Sequence, residues 1–282
     1  MKPPLELPED LRRMLRSHSP ELASDIERFL ETAPSPCLYI RSERVARSPL
    51  RPSILHRLMG HRAAQPVLSA LDSKFGGIPY VEEADLTWEG FQFLGQLNFA
   101  QLSDAPATLP RQGVFALDRD LRAPDGSDKS FRVRWYPEPT ETRAPPVSPP
   151  PCVGRWETRM RFSAGWSLPR GDAWEAPLSS TGDTQLRDTW NDWAPSGYLE
   201  DERSPGIHRV SGHRSGGLDE PSSFVPPPGR DRDLRAYAQL LRLDFDNASG
   251  FHWGTNGAYV LLHPEDLAAN RLERAVVAWA NA

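Results

Sequence analysis

The chain has 282 residues, 33 basic against 38 acidic side chains, a formal charge of -5 and a mean hydropathy of -0.56. That length gives one large domain or two coupled halves with a self-sufficient core, and the acidic balance argues against a general nucleic-acid binder. No apolar run reaches the roughly 18 residues of a membrane span and the first ten residues carry no apolar signal core, so the expectation is a cytoplasmic protein with neither nucleic-acid nor membrane partners. Two cysteines, Cys37 and Cys152, exclude a disulfide framework and a cysteine-rich zinc site.

In chain order, residues 8–33 predict helix broken near Ser19-Pro20-Glu21. Glu9 and Asp10 suit a first turn, Leu11, Leu15, Leu22, Ile26, Phe29 and Leu30 recur at helical spacing, and proline restricts the residue before it. Residues 37–41 predict a short strand and residues 53–71 helix in part. Strands follow at 91–99, 113–117 and 131–136, the last alternating at period two. Residues 137–151 hold seven prolines. Proline has no amide donor, so this stretch cannot enter a sheet interior and reads as a stiff connector. Residues 152–168 alternate again, 184–193 predict a short helix, and Pro264-Glu265-Asp266-Leu267 opens another. The β-branched Val276 and Val277 favour a closing strand.

Three blocks recur in order at offsets of about 140 to 146 residues. His213-Arg214-Ser215-Gly216-Gly217-Leu218 echoes Lys74-Phe75-Gly76-Gly77-Ile78. Leu240-Leu241-Arg242-Leu243-Asp244-Phe245 echoes Leu94-Gly95-Gln96-Leu97-Asn98-Phe99, and Gly257-Ala258-Tyr259-Val260-Leu261 echoes Gly113-Val114-Phe115-Ala116-Leu117. A period this long is a duplicated unit rather than a solenoid. The domain reading is therefore an N-terminal helical extension (1–34), a first repeat half (35–136), the proline-rich connector (137–151), and a second half with a tryptophan-rich insert and the second repeat (152–282).

These blocks, together with Trp253-Gly254-Thr255-Asn256-Gly257, resemble the YwqG-like family, a bacterial domain of unknown function. The resemblance covers about residues 35–282 and implies an α+β fold of two related, largely antiparallel β-sheet units. Family members often carry an acid between the two glycines of the Trp-Gly motif, where this chain has Thr255 and Asn256, and the second Gly-Gly turn departs at Leu218-Asp219-Glu220-Pro221. The resemblance supplies a fold and no settled activity.

The twin Gly-Gly turns permit positive φ and close backbone approach to a ligand. With Lys74 beside one and His213 and Arg214 beside the other, they suit an anion, although Gly-Gly is also plain turn chemistry. His208 and His213, like His56 and His61, stand five apart and share no face, so no metal site is expected. Asp244, Asp246 and Asn247 lack the glycine and glutamate of a calcium loop and read as a turn cap. Ser215 sits one place late for a nucleophile elbow, and no phosphate-binding glycine loop exists. Trp156, Trp166, Trp174, Trp190 and Trp193 are core fillers or partner anchors.

The leading functional expectation is a non-catalytic protein that recognises a protein partner or small anionic ligand between its repeats. Its ligand residues would be Lys74, Gly76, Gly77, Gln96, His213, Arg214, Gly216, Gly217, Trp253 and Asn256, with no catalytic residue, metal or cofactor. The alternatives are a hydrolase pairing His213 or His252 with Asp244 or Asp246, a toxin-neutralising immunity-type protein, and a scaffold that holds a partner through the tryptophan-rich insert.

Overall fold

The computed structural model describes residues 7–32, 34–47, 68–83, 86–123, 130–140, 156–167, 178, 183–193, 208–213, 229–230, 233, 236–244, 246–250 and 257–280. Two helices open the chain, α1 (Glu9–His18) and α2 (Pro20–Thr32), broken at Ser19 as its flanking proline dictates. The first five strands are β1 (Ser35–Arg47), β2 (Lys74–Phe75), β3 (Phe91–Asn98), β4 (Val114–Asp120) and β5 (Phe131–Tyr136). Then come β6 (Trp156–Ser167), helix α3 (Thr184–Trp193), β7 (His208–Ser211), β8 (Ala238–Leu243) and β9 (Gly257–Leu262). Helix α4 (Pro264–Ala268), a 3-10 turn (Leu272–Arg274) and β10 (Val276–Ala280) complete the fold.

The ten strands form one sheet in the order β10-β9-β8-β7-β1-β6-β2-β3-β4-β5. Every pairing is antiparallel. Where two sheet units are expected the structure has one continuous sheet, and the fold is mostly antiparallel sheet with few helices. What joins the two sides of that sheet is the long pairing of β1 with β6, which runs from Ser35↔Ser167 to Arg47↔Trp156 with one irregularity between Arg44 and Ala46. β1 extends well past the five residues that its apolar content suggests, because its far half is polar and faces solvent through Glu43 and Arg44. β7, with Val210 as its one aliphatic residue, carries too weak a pattern to be read from sequence. Residues 53–67 and the connector 141–151 lie outside the described residues, and 68–71 form a bend and turn instead of helix.

Alternation along the strands sends Leu38, Ile40, Phe75, Leu117, Met160, Val210, Leu241, Val260, Leu262 and Val277 to one face, where they form a single core drawn from both halves. Each such side chain contributes about 1.5–3 kcal/mol by leaving water. The sheet curls around this core until its ends approach. Trp135 on β5 donates Nε1–H to the Asn270 carbonyl near β10 at 3.1 Å and meets Phe99 edge to face. A second apolar cluster combines Leu11, Leu15, Ile26 and Leu30 of α1 and α2 with Leu178 and Leu186, so the N-terminal extension and the tryptophan-rich insert share one small helical core.

The two sides of the sheet correspond in position. Lys74 pairs with Arg159 on β6 and Gln96 on β3, as Arg209 pairs with Tyr39 on β1 and Arg242 on β8. Each short strand then enters a left-handed pair, Gly76 and Gly77 at φ 66 and 72°, Ser211 and Gly212 at 63 and 88°. The described counterpart of the first glycine pair is therefore Ser211 and Gly212, five residues earlier than the sequence echo at Gly216 and Gly217. A methyl at Gly77 would meet Glu157 Oε1 at 2.7 Å, and one at Gly212 would strike the Ser167 side chain and Cys37 Cβ. Gly77→Ala and Gly212→Ala should each lower stability by about 1–3 kcal/mol, read as a shift of the urea midpoint with unchanged slope.

Candidate functional site

Four of the expected ligand residues meet in one corner, and that corner is internal. Lys74 is fully buried and donates its Nζ to the Ser69 carbonyl at 2.6 Å. Gln96 accepts from Tyr80 N at 2.8 Å and donates to the carbonyls of Ala70 and Asp72. Asn98 donates to the Leu71 carbonyl, and its own N–H is taken by Ser73 Oγ. These side chains fasten residues 69–80 to β3, satisfying backbone groups that no strand partner serves. Gly76 and Gly77 turn the chain beneath Glu157. His213 lies on the other side of the sheet, its N–H donated to Ser167 Oγ and its carbonyl accepting from Arg209. Arg214, Gly216, Gly217, Trp253 and Asn256 lie outside the described residues. Among the five candidate tryptophans, Trp166 is half-buried, while the side chains of the other four are not among those described.

Burial pushes the Lys74 ammonium down to about 8, against the pull of Glu157 and Asp72. The unfolded chain binds this proton up to a pH near 10.4, so wild-type stability should rise between pH 8 and 10 as the folded state sheds the penalty. The same window should be flatter in Lys74→Met, measured by urea denaturation across pH.

The hydrolase expectation pairs Asp246 with His213 or His252. The structure pairs it with His208, a residue the sequence reading set aside when it found no metal spacing. His208 Nε2 lies 3.2 Å from Asp246 Oδ2, and its Nδ1 accepts from Asp244 N at 3.0 Å. That second bond leaves the ring proton on Nε2, pointing at the carboxylate. The imidazole is fully buried and stacks at 4.7 Å on Phe75. Asp246 also accepts from the amides of Ala248 and Ser249, while Arg44 and Thr158 hold the Ala248 carbonyl. The arrangement closes the turn after β8 onto the β1–β6 pair. Asp244, the other candidate acid, is engaged by Arg242. Among the described residues no three His, Cys, Asp or Glu side chains gather as a metal would need.

Burial alone would raise the Asp246 carboxyl, but hydrogen bonds, above all from His208, outweigh it and hold the group far below the usual carboxylate range. A depressed folded value contributes stability above the unfolded value near 3.9 that is lost as pH falls below it. Asp246→Asn should cost about 2–4 kcal/mol at neutral pH, and its stability should fall less steeply than wild type below pH 4 in acid titrations followed by circular dichroism.

A surface feature with room for a ligand is a groove of about 500 Å³ between the β3–β4 loop and α4. Leu109, Pro110 and Arg111 form one wall; Pro264, Leu267 and Asn270 form the other. The first wall is held by the Ala105 carbonyl, which accepts from Arg111 at 3.3 Å. The second is held by Asp266, buried beside the groove, whose carboxylate takes Arg230 through two bonds, Arg271 at 2.7 Å and Arg274 at 3.2 Å. Arg230 above all keeps that carboxyl down at about 2. The walls come from opposite sides of the sheet order and meet where its ends approach. Nothing in the sequence echoes marks this place, since it depends on how far the sheet curls.

No curated protein matches the chain. Residues 73–280 match the family model described as a domain of unknown function, DUF1963. The match begins just before β2 and leaves out β1, although β1 lies at the centre of the sheet. Because the match spans most of the sequence, the chain belongs to the DUF1963 family.

Proposed function

We propose that the chain is a non-catalytic binding protein of the YwqG-like kind, acting in the bacterial cytoplasm, and that its groove at the sheet ends holds a segment of a protein partner. We further propose an internal duplication with copies running from β1 to β5 and from β6 to β10. In that reading β1 lies against β7 and β6 against β2, so each copy lends its first strand to the other. The sequence echoes and the matched left-handed turns support it.

The observation that carries the binding reading is the groove itself, walled by one segment from each copy. Among the described residues its lining is largely aliphatic, with Arg111 as a cation and no carboxylate. That chemistry fits a peptide pairing apolar side chains with an acidic one. The hydrolase reading loses support because the Asp246 carboxylate is spent on a histidine that no substrate reaches.

Peptides selected by phage display against the wild-type protein should carry an acidic residue beside apolar ones. They should bind at least about tenfold more weakly to Ala268→Trp, which fills the groove, and to Arg111→Gln, with melting temperatures held. Equal binding to Ala268→Trp would sink the groove. Ester or phosphate turnover by wild type that is lost in His213→Ala would replace the binding reading with the enzyme.

A further inference from the structure

A second site lies away from the groove, on the outer face of β4 and β5, beneath residues 86–90. Trp88 is 9% exposed, and its indole Nε1–H is buried with no hydrogen-bond partner. Beside it stands Arg132 on the edge strand β5. Its guanidinium carbon lies 5.0 Å from the Trp88 ring centre and 4.0 Å from that of Phe91. Arg132 donates Nε–H to Asp118 Oδ2 and Nη1–H to the Thr87 carbonyl, both at 2.9 Å. Its Nη2 is buried and unpartnered. Two orphan donors thus sit on neighbouring side chains under one surface loop. Leaving such groups unpaired costs their full desolvation, and native structures seldom do so without a reason.

The carboxylates that act on Arg132 are already committed, Asp120 to Arg122 through two bonds. Asp118 is fully buried and takes Arg134 through two bonds at 2.8 and 2.9 Å as well as Arg132. Glu83 accepts from Tyr136 at 2.7 Å, and Tyr136 in turn accepts from Arg134. Asp118 therefore answers two guanidinium groups, while Glu83 is tied to the Tyr136 and Arg134 side of the cluster. Indole and guanidinium carry donors and no acceptor, so a cation or a further donor gains nothing here. Only an acceptor completes both groups, and a guanidinium N–H makes its stronger bonds to an anionic one.

The geometry points to a small oxyanion held between Trp88 Nε1 and Arg132 Nη2. The Arg132 guanidinium lies against both the Phe91 ring and the indole, and its bonds to Asp118 and Thr87 hold it in place before the ligand arrives. Thr87 and Glu89, on either side of Trp88, are exposed, which puts the site one side chain below solvent. This site goes beyond the proposed partner groove and shares no residue with it.

Inorganic phosphate, sulfate and acetate serve as probes, titrated at constant ionic strength while thermal unfolding is followed. Wild type should show a saturable rise of a few degrees with at least one of them, since a ligand that binds only the folded state stabilises it by mass action. Trp88→Phe keeps the ring and removes the N–H, so it should lose the saturable part and retain only the general rise that excluded salts give every protein. Arg132→Gln should do the same. Without oxyanion, Trp88→Phe should melt somewhat lower than wild type, because the smaller ring leaves part of the site unfilled. Trp135→Phe removes an indole bond that is made, so it should also melt lower yet keep the saturable response. Identical salt responses in wild type and Trp88→Phe would overturn the site.

Discussion

Everything else in this fold hangs on the pairing of β1 with β6. These strands stand more than a hundred residues apart in the chain, yet their register holds over twelve residue pairs. Tyr39 reinforces the contact by donating its hydroxyl to the Trp166 carbonyl at 2.8 Å. Neither long strand then pairs with its nearest strand in sequence. β1 has β7 on its free side, and β6 has β2. The inner strand of each flanking four-strand stack is very short, two residues in β2 and four in β7. Such strands cannot hold an edge alone; a long neighbour must template them. Closing so distant a pair costs loop entropy before any contact returns it.

That architecture explains why so much polar chemistry lies inside. The short inner strands leave the chain irregular just beyond them, and irregular backbone under a sheet carries amides and carbonyls with no ladder partner. Gln96, Asn98, Ser73 and Lys74 serve them on one side. His208, Asp246, Arg44 and Thr158 serve the turn after β8 on the other. A lysine, a histidine and an aspartate in a glycine-rich setting look like a ligand site in sequence. Their donors and acceptors are instead matched to backbone, and that matching is what makes their burial tolerable.

Much of the element list was legible because it rests on local physics. The helix break at Ser19, the alternation of β5 and the β-branched residues of β10 each follow from a few neighbouring side chains. The single sheet was not, since adjacency of β1 and β6 is a long-range choice that no period reveals. β7 escaped for a related reason. Its strand character is imposed by Ile40 and Leu38 opposite it, not by its own composition. Gly216 and Gly217 lie outside the described residues; within them, the positive φ at the end of β7 is met by Ser211 and Gly212. Serine is a poor guess for a left-handed position, so that turn was not legible in the sequence. Lys74, Gly76, Gly77 and Gln96 are expected from sequence to line an anion site; the structure buries them together, and burial depends on what covers them, which pattern alone does not show.

If the inner polar groups are spent on holding the chain, recognition has to use what the sheet leaves over. What it leaves is its periphery, where the first and last strands come round to face one another. There the closure joins the Trp135 bond to the Asn270 carbonyl with apolar packing of Leu267 and Leu272 in the same core as Phe99 and Leu109. Asn270 also lines the groove. An occupant that touches both walls therefore acts on the same residue that sets the spacing of the sheet ends. In the proposed binding reading, a ligand bridging Arg111 and the α4 wall would add to the closure, whereas one that wedges the walls apart would work against the Trp135 bond.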